Sequence, residues 1–404
     1  MYGFSRGRLM SRKKQAHSPT VIDLFCGAGG LSEGFRQAGF RVLVGNDADK
    51  FAGMTYTATH HGAVFLPGQI QSLSAMDFLR TAKLRRGELD CLIGGPPCQA
   101  FSVYNHQRGL HDDRSNLFRE YLRIVDGLLP KWVVMENVTG ITSAGGGLAM
   151  REIVNGLSEL GYNVETKILR AEQYGVPQER RRIFFIGNRL RAPVIWPEAT
   201  HGPGLKPFVT VWEAIGDLPK LSNGEAPVGA QAYRYDPMSD FQRYVREQSN
   251  TVENHAAPRL ANVNLERMKY IPEGGSWRDL PNRLLPTGMK LARRCDHTKR
   301  YGRLKKDGLA STILTKCDLH WGAYIHPEQD RVLTVREAAR LQAFPDWFVF
   351  NGPKTEQYIQ VGNAVPPLLG KHIAQSVLSA QPFGRKRAVI GPMDLRAKEL
   401  HFAL

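Results

Sequence analysis

The chain predicts an α/β protein, a mostly parallel sheet flanked by helices, followed by a second, smaller and irregular region. Three observations predict it. Apolar strand-like runs alternate with helix-spaced runs from Thr20 to Gly187, the pattern of successive βα units. The first strand ends in Cys26-Gly-Ala-Gly-Gly30 and feeds a helix. From residue 196 to about 310 the alternation stops and Pro, Gly and Asn accumulate, which places a boundary near Pro197–Pro207.

The first strand, Thr20–Phe25, is broken only by Asp23, and an amphipathic helix opens at Leu31–Phe35. The glycines between them let a ligand approach the backbone, but their spacing is not G-x-G-x-x-G. An adenosyl ligand smaller than a dinucleotide fits better, against the plain reading of a turn made glycine-rich for packing. A second strand, Arg41–Gly45, ends in Asn46-Asp47, where such folds hold ribose hydroxyls; Asp47 or Asp49 could instead cap the next helix. The third unit runs from Ala63–Phe65 through Pro67-Gly-Gln-Ile70 to a helix containing Phe78 and Leu79.

The fourth strand, Leu89–Ile93, runs into Gly94-Gly-Pro-Pro-Cys98. Two glycines and two prolines end the strand and stiffen the turn, so Cys98 suits a nucleophile. The competing reading is a small core hydrophobe, the commoner state of a single cysteine. The polar loop Val103–Asn116 reads either as a lid or as ordinary surface. A helix over Asn116–Leu129 is stopped by Pro130. The fifth strand, Trp132–Met135, delivers Glu136 at the same sheet edge as the Cys98 turn. A helix (Met150–Leu160) and a strand (Asn163–Leu169) follow, and strand alternation then puts Arg180 and Arg182 on one face.

The formal charge is +16, with 54 Lys+Arg against 38 Asp+Glu, which points to a polyanion such as nucleic acid. The densest basic run lies in the irregular region, at Lys290, Arg293, Arg294, Lys299, Arg300, Arg303, Lys305 and Lys306; a solvated basic surface is its alternative. Thr334–Ala343 reads as a short helix opened by a capping box, and Tyr358–Pro367 as a lead into a helix over Leu368–Leu378. Five cysteines without a C-x-x-C pair argue against disulfides and zinc. His60-His61 and Cys295-Asp-His297 lack ligand spacing and read as surface residues. No run resembles a membrane span or a secretory signal, so a cytoplasmic, nucleoid-associated protein is expected.

Together DLFCGAGG (23–30), GGPPCQAFS (94–102), MENV (135–138), QERRRIFFIG (178–187), RVLTVREAARLQAFPD (331–346) and QVGNAVPP (360–367) carry a resemblance. The chain resembles a DNA cytosine-C5 methyltransferase of the bacterial restriction–modification type, from about residue 20 to about 380. The resemblance implies an S-adenosylmethionine-dependent methyltransferase (Rossmann-like) fold with a small target-recognition domain, and no metal. The implied layout is a basic tail (1–19), a catalytic domain (20–200), a recognition domain (201–354, including 331–346), a returning C-terminal helix (355–380) and a second basic tail (381–404). Cys98 would be the nucleophile, Glu136 would grip the cytosine N3 edge, and Arg180 and Arg182 would be substrate-site arginines. Phe25, Gly27, Ala28, Gly30, Asp47, Gln69, Pro97, Leu117 and Asn363 would surround S-adenosyl-L-methionine. Two departures concern that pocket: Ala48 stands where an aromatic residue often follows the ribose carboxylate, and Gln69 where an aspartate is common.

Double-stranded DNA is the implied partner, with Tyr104, Arg114, Arg293, Arg294, Lys299, Arg300, Arg303 and Arg336 as its candidate contacts; the resemblance also matches Arg336 to the arginine that supports the recognition domain from its helix. A cognate endonuclease acting on the same site is expected, and a monomer suffices for base flipping. Two rival readings are an RNA cytosine-C5 methyltransferase and a DNA-binding protein on a retired fold.

Overall fold

A computed structural model of the chain describes residues 18–97, 117–293 and 295–380. Cys98, Tyr104, Arg114 and Arg294 lie outside the described residues, as do residues 1–17 and 381–404 of the two basic tails.

Seven strands form the main sheet: β1 (Thr20–Leu24), β2 (Arg41–Asp47), β3 (Val64–Pro67), β4 (Cys91–Gly94), β5 (Trp132–Val138), β6 (Asn163–Arg170) and β7 (Arg181–Asn188). Their order is β3-β2-β1-β4-β5-β7-β6. The pairs from β3 through β5 are parallel, and β7 is antiparallel to both β5 and β6. The expected mostly parallel sheet is therefore present. The strand order reverses at β1, so the carboxyl ends of β1 and β4 open the crevice where ligands bind in such sheets.

The crossovers are α1 (Gly30–Gln37), α2 (Lys50–Thr59), α3 (Ala75–Ala82), α4 (Leu117–Leu128) and α5 (Leu148–Glu159). In α4 the buried side chains Phe118, Tyr121, Ile124, Val125 and Leu128 recur at helical spacing and meet Leu92, Val133 and Met135 on one sheet face. The opposite face packs on a larger cluster that includes Phe35, Tyr56, Ile93 and Trp132.

Beyond β7 the elements are short: α6 (Val211–Ile215), α7 (Asp240–Arg246), α8 (Asn262–Met268) and α9 (Val335–Leu341). Met268, Ile271, Trp277, Leu280, Tyr301 and Ile325 belong to a small apolar cluster of their own. Val335, Ala338, Leu341 and Phe344 of the 331–346 segment join the large cluster under the main sheet, together with Val211, Ile215, Phe241 and Tyr324 of the region beyond β7. The segment's capping box is present, with Thr334 Oγ1 accepting from the Glu337 amide and Glu337 accepting from the Thr334 amide.

The last two helices are α10 (Lys354–Asn363) and α11 (Pro367–Ala380). The stretch from Tyr358 to Asn363, read as a lead-in, is thus itself helical. Gly362, in the last turn of this helix, admits no side chain, because a Cβ there would lie 2.4 Å from the Leu314 carbonyl. Pro367 then starts α11, where a proline loses no helical hydrogen bond. No helix among the described residues is long and apolar enough to cross a membrane.

Candidate active site

The chain leaves β1 in a left-handed turn. Phe25, Gly27 and Gly29 have φ of 56°, 52° and 97°, and a bulky residue such as Phe25 adopts that conformation only under constraint. The constraint comes from β2: Asp47 Oδ2 accepts the Gly27 amide at 2.8 Å, and its Oδ1 accepts the Asp49 amide. Asp49 caps α2, accepting from the Phe51 and Ala52 amides. The two carboxylates have divided the tasks, Asp49 taking the helix and Asp47 the turn. Gly30 admits no side chain, because a Cβ would meet the Val365 carbonyl at 2.4 Å.

This turn is one wall of a cavity of about 1030 Å³. All nine residues expected around a cofactor line it: Phe25, Gly27, Ala28, Gly30, Asp47, Gln69, Pro97, Leu117 and Asn363. Ala48 lines it too, so its small side chain leaves that wall open. Among the described residues, five carboxyl side chains (Asp23, Asp47, Asp49, Glu120 and Glu136) face the cavity against one guanidinium, Arg182. Such a lining suits a cationic ligand.

Asp23 is buried in the cavity floor, where Ser32 Oγ donates to it at 2.7 Å. Burial pushes its carboxyl up to about 7, only partly opposed by that hydrogen bond. The folded state therefore holds a proton that the unfolded chain releases near the ordinary carboxylate value. The resulting stability is full below that ordinary value and is lost as pH rises through about 7. Asp23→Asn can still accept from Ser32 and should be more stable than wild type at pH 8 by roughly 2–4 kcal/mol, with the gap closing toward pH 4. Urea unfolding of both proteins across this range checks it; a gap independent of pH would contradict it.

His60, expected at the surface, is 3% exposed and sits beneath the glycine turn. It stacks on Tyr56 at 4.3 Å, and burial pulls it down to about 4, so it is neutral. His61 is exposed as expected. Cys26 and Cys91 are buried among apolar groups, and burial pushes both thiols well above the ordinary range, so neither offers a thiolate.

The far wall of the cavity is built by β4, β5 and β7. Asn137 Nδ2 donates to the Pro96 carbonyl at 2.9 Å, which ties the end of β5 to the Pro-Pro turn next to Cys98 in sequence. Glu136 lies across from Gly95 and accepts from Arg182 Nε at 2.8 Å. Burial nevertheless outweighs the two nearby arginines and raises the Glu136 carboxyl above its usual range.

Arg180 lies just before β7 and Arg182 within it, and their partners differ. Arg182 lines the cavity, whereas Arg180 is 1% exposed and donates to the Ile313, Gly362 and Ala364 carbonyls. Arg180 is thus corrected from a cavity-lining residue to one held behind the wall.

The match to known proteins is with this architecture as a whole. Residues 19–379 match the family of C-5 cytosine-specific DNA methylases. The chain belongs to that family. The methylase is 38% identical to the type II methyltransferase M1.HphI of Haemophilus parahaemolyticus, covering 89% of this chain and 87% of the relative. It is 32% identical to M.AgeI of Thalassovita gelatinovora, over 88% and 98%. Among solved structures it is similar to a prophage-encoded E. coli protein assigned as a DNA modification methyltransferase, with a TM-score of 0.72, 26% identity and 90% and 99% of the two chains covered. The S. pombe Dnmt2 methyltransferase, at 19% identity and a TM-score of 0.54 over 89% and 98%, shares the fold. The enzyme is a DNA cytosine-C5 methyltransferase of an S-adenosylmethionine-dependent class.

Of the methylase's expected DNA contacts, Arg293 is exposed and pairs with Asp296, and Lys299 pairs with Glu179 at 3.5 Å. Arg300 lies 5.7 Å from the exposed Trp321 ring. Two others are corrected. Arg303 is 8% exposed and donates to the Met268, Ile271 and His326 carbonyls. Arg336 is fully buried and donates to the Glu253, Pro345 and Phe348 carbonyls. Guanidinium groups already saturated inside the protein cannot reach a phosphate, so both hold the fold of the second half. Asn137 and Gln178 were overlooked, although both sit in the quoted motifs and Gln178 shares the alternation of Arg180 and Arg182.

Proposed function

We propose that the enzyme binds S-adenosyl-L-methionine on the 25–30 turn and methylates C5 of a flipped-out cytosine in one duplex DNA sequence, through a covalent bond between Cys98 and C6. The observation that carries this reading is the Glu136–Arg182 pair on the wall of the cavity that the glycine turn also lines. The fit to the cofactor rests on the carboxylate-rich lining, which favours a sulfonium and an ammonium, and on Gly27, where nothing approaches within 4 Å of a Cβ position. Asp47 would take the ribose, Asn363 would close the pocket, and Gln69 would meet the adenine.

The bound cofactor supplies an electrophilic methyl group. Cytosine C5 is too weak a nucleophile to take it from an aromatic ring. Addition of the Cys98 thiolate to C6 breaks the aromaticity and makes C5 an enamine carbon. Negative charge develops toward N3 and O2; Glu136, protonated, donates to N3, and Arg182 stabilises O2. A base, for which water suffices, then takes the C5 proton and the thiolate leaves. The target must leave the stack first, at a cost of a few kcal/mol.

In this reading residues 20–200 and 355–380 hold the chemistry, 201–354 select the target, and 331–346 join them. A restriction endonuclease of the same specificity is the natural partner in a bacterial cytoplasm, and one chain holds every group required. Bisulfite sequencing of DNA from cells expressing the enzyme should show one short motif protected. Unmodified DNA alongside methylated RNA, or alongside DNA binding without cofactor binding, would replace this reading with one of its rivals.

A further inference from the structure

Gln178 and Arg180 lie in the extended segment that leads into β7 and Arg182 lies within it, and each grips a different part of the molecule. Gln178 Nε2 donates to the Leu341 carbonyl of α9 at 3.0 Å, and its Oε1 accepts the Ile313 amide at 2.9 Å. Arg180 Nη1 donates to the Ile313 carbonyl at 3.2 Å, and Nη2 donates to both Gly362 and Ala364 at 2.9 Å. Arg182 reaches Glu136. Gly362 completes the junction, because only its missing side chain lets the Leu314–Thr315 backbone lie against α10.

The three carbonyls on Arg180 belong to two segments with different business. Gly362 and Ala364 flank Asn363 and line the cavity, so a ligand there restrains them. Ile313 starts the arm that runs to Trp321, which is 48% exposed beside Arg300 on the basic surface. Glu172 accepts only from the Arg180 backbone amide, at 3.3 Å; among the described residues no carboxylate is hydrogen-bonded to the Arg180 guanidinium, and its buried Nε has no partner. A fully buried guanidinium spent on three carbonyls is a costly way to hold backbone that any helix cap or neutral amide could hold. What it achieves is that neither segment can shift without leaving a buried charge unpartnered.

We infer that Arg180 is a positioning residue that couples the cofactor pocket to the DNA-facing arm, so that occupancy of one tightens the other. This rests on the proposed binding of S-adenosylmethionine and DNA to the two sides. Coupling of this kind is reciprocal, and coupled sites typically shift each other about 5–150-fold.

The test is a binding cycle with S-adenosylhomocysteine and a short duplex carrying the methylated motif, each titrated alone and in the presence of the other. Wild type should show each ligand tightening the other by the same factor, about tenfold. Arg180→Met, checked for an intact melting transition, should bind each ligand alone within about threefold of wild type while the coupling falls below about twofold. A merely structural residue would weaken both ligands and leave the ratio unchanged. Coupling retained in Arg180→Met overturns the inference. So does a loss of DNA affinity without cofactor, which would make Arg180 a direct contact. Should Arg180→Met not fold, Gln178→Met, which frees the Ile313 amide and touches no cavity wall, must reduce the coupling, and unchanged coupling there overturns the inference as well. A wild type that binds neither ligand would instead defeat the functional reading on which the inference stands.

Discussion

Glu136→Ala is expected to lower the rate of methyl transfer by about 10²–10⁴-fold, the span general-acid groups contribute, with a smaller change in DNA affinity. The carboxyl is buried, raised above its usual range and held by Arg182 at 2.8 Å. Those conditions keep a proton within reach at the moment N3 gains charge. Glu136→Gln, which keeps a hydrogen-bond donor but has no proton to give, should fall between wild type and alanine. If the protonated form is the active one, as the proposed mechanism requires, wild-type activity should decline as pH rises through the raised Glu136 value, and the Gln variant should lose that limb. Cys98→Ser should show no transfer at all, since a serine hydroxyl supplies essentially no anion at neutral pH. Single-turnover assays across pH decide these outcomes. A Glu136→Ala enzyme within a few-fold of wild type would remove the acid from the mechanism.

Arg340→Ala is expected to cost about 3–5 kcal/mol of stability, the range seen when one partner of a buried ion pair is removed. Arg340 is fully buried and bridges two carboxylates: Asp217, and Asp346 at 2.6 and 2.9 Å. It also donates to the Ala214 carbonyl at 2.9 Å. Arg246 and Tyr233 supply further donors to the same carboxylates, but neither replaces the charge at the centre. The loss would be felt between the halves, because α6 and the 331–346 segment meet at this residue. Arg340 also holds the Asp346 carboxyl below its ordinary range, so its contribution is present above that range and is lost as pH falls through the depressed value. Equilibrium denaturation near neutral pH measures the change, and a loss under about 1 kcal/mol would show the network to be replaceable.

Much of this architecture was legible because it is local. The glycine turn, the caps at Asp49 and Thr334, and the period of α4 depend on neighbours within a few residues, and short-range hydrogen bonding and periodicity reveal them. The cofactor wall was legible through motif resemblance, and the cavity gathers those residues from six stretches of chain.

Which arginine faces the cavity was not legible, because the carbonyls that claim Arg180 lie 133, 182 and 184 residues away. The same holds for Arg303 and Arg336, which in sequence look like any other cations of a basic chain and in the fold are consumed by backbone carbonyls. His60 looked like surface until the space left by Gly29 was filled from α2. Sequence alone determined the fold class and the family, since these rest on local pattern and ordered motifs. Tertiary structure alone decided which charges are free to meet a substrate and which are spent inside. Burial and long-range hydrogen bonding set that division, and neither leaves a mark on residue type or spacing.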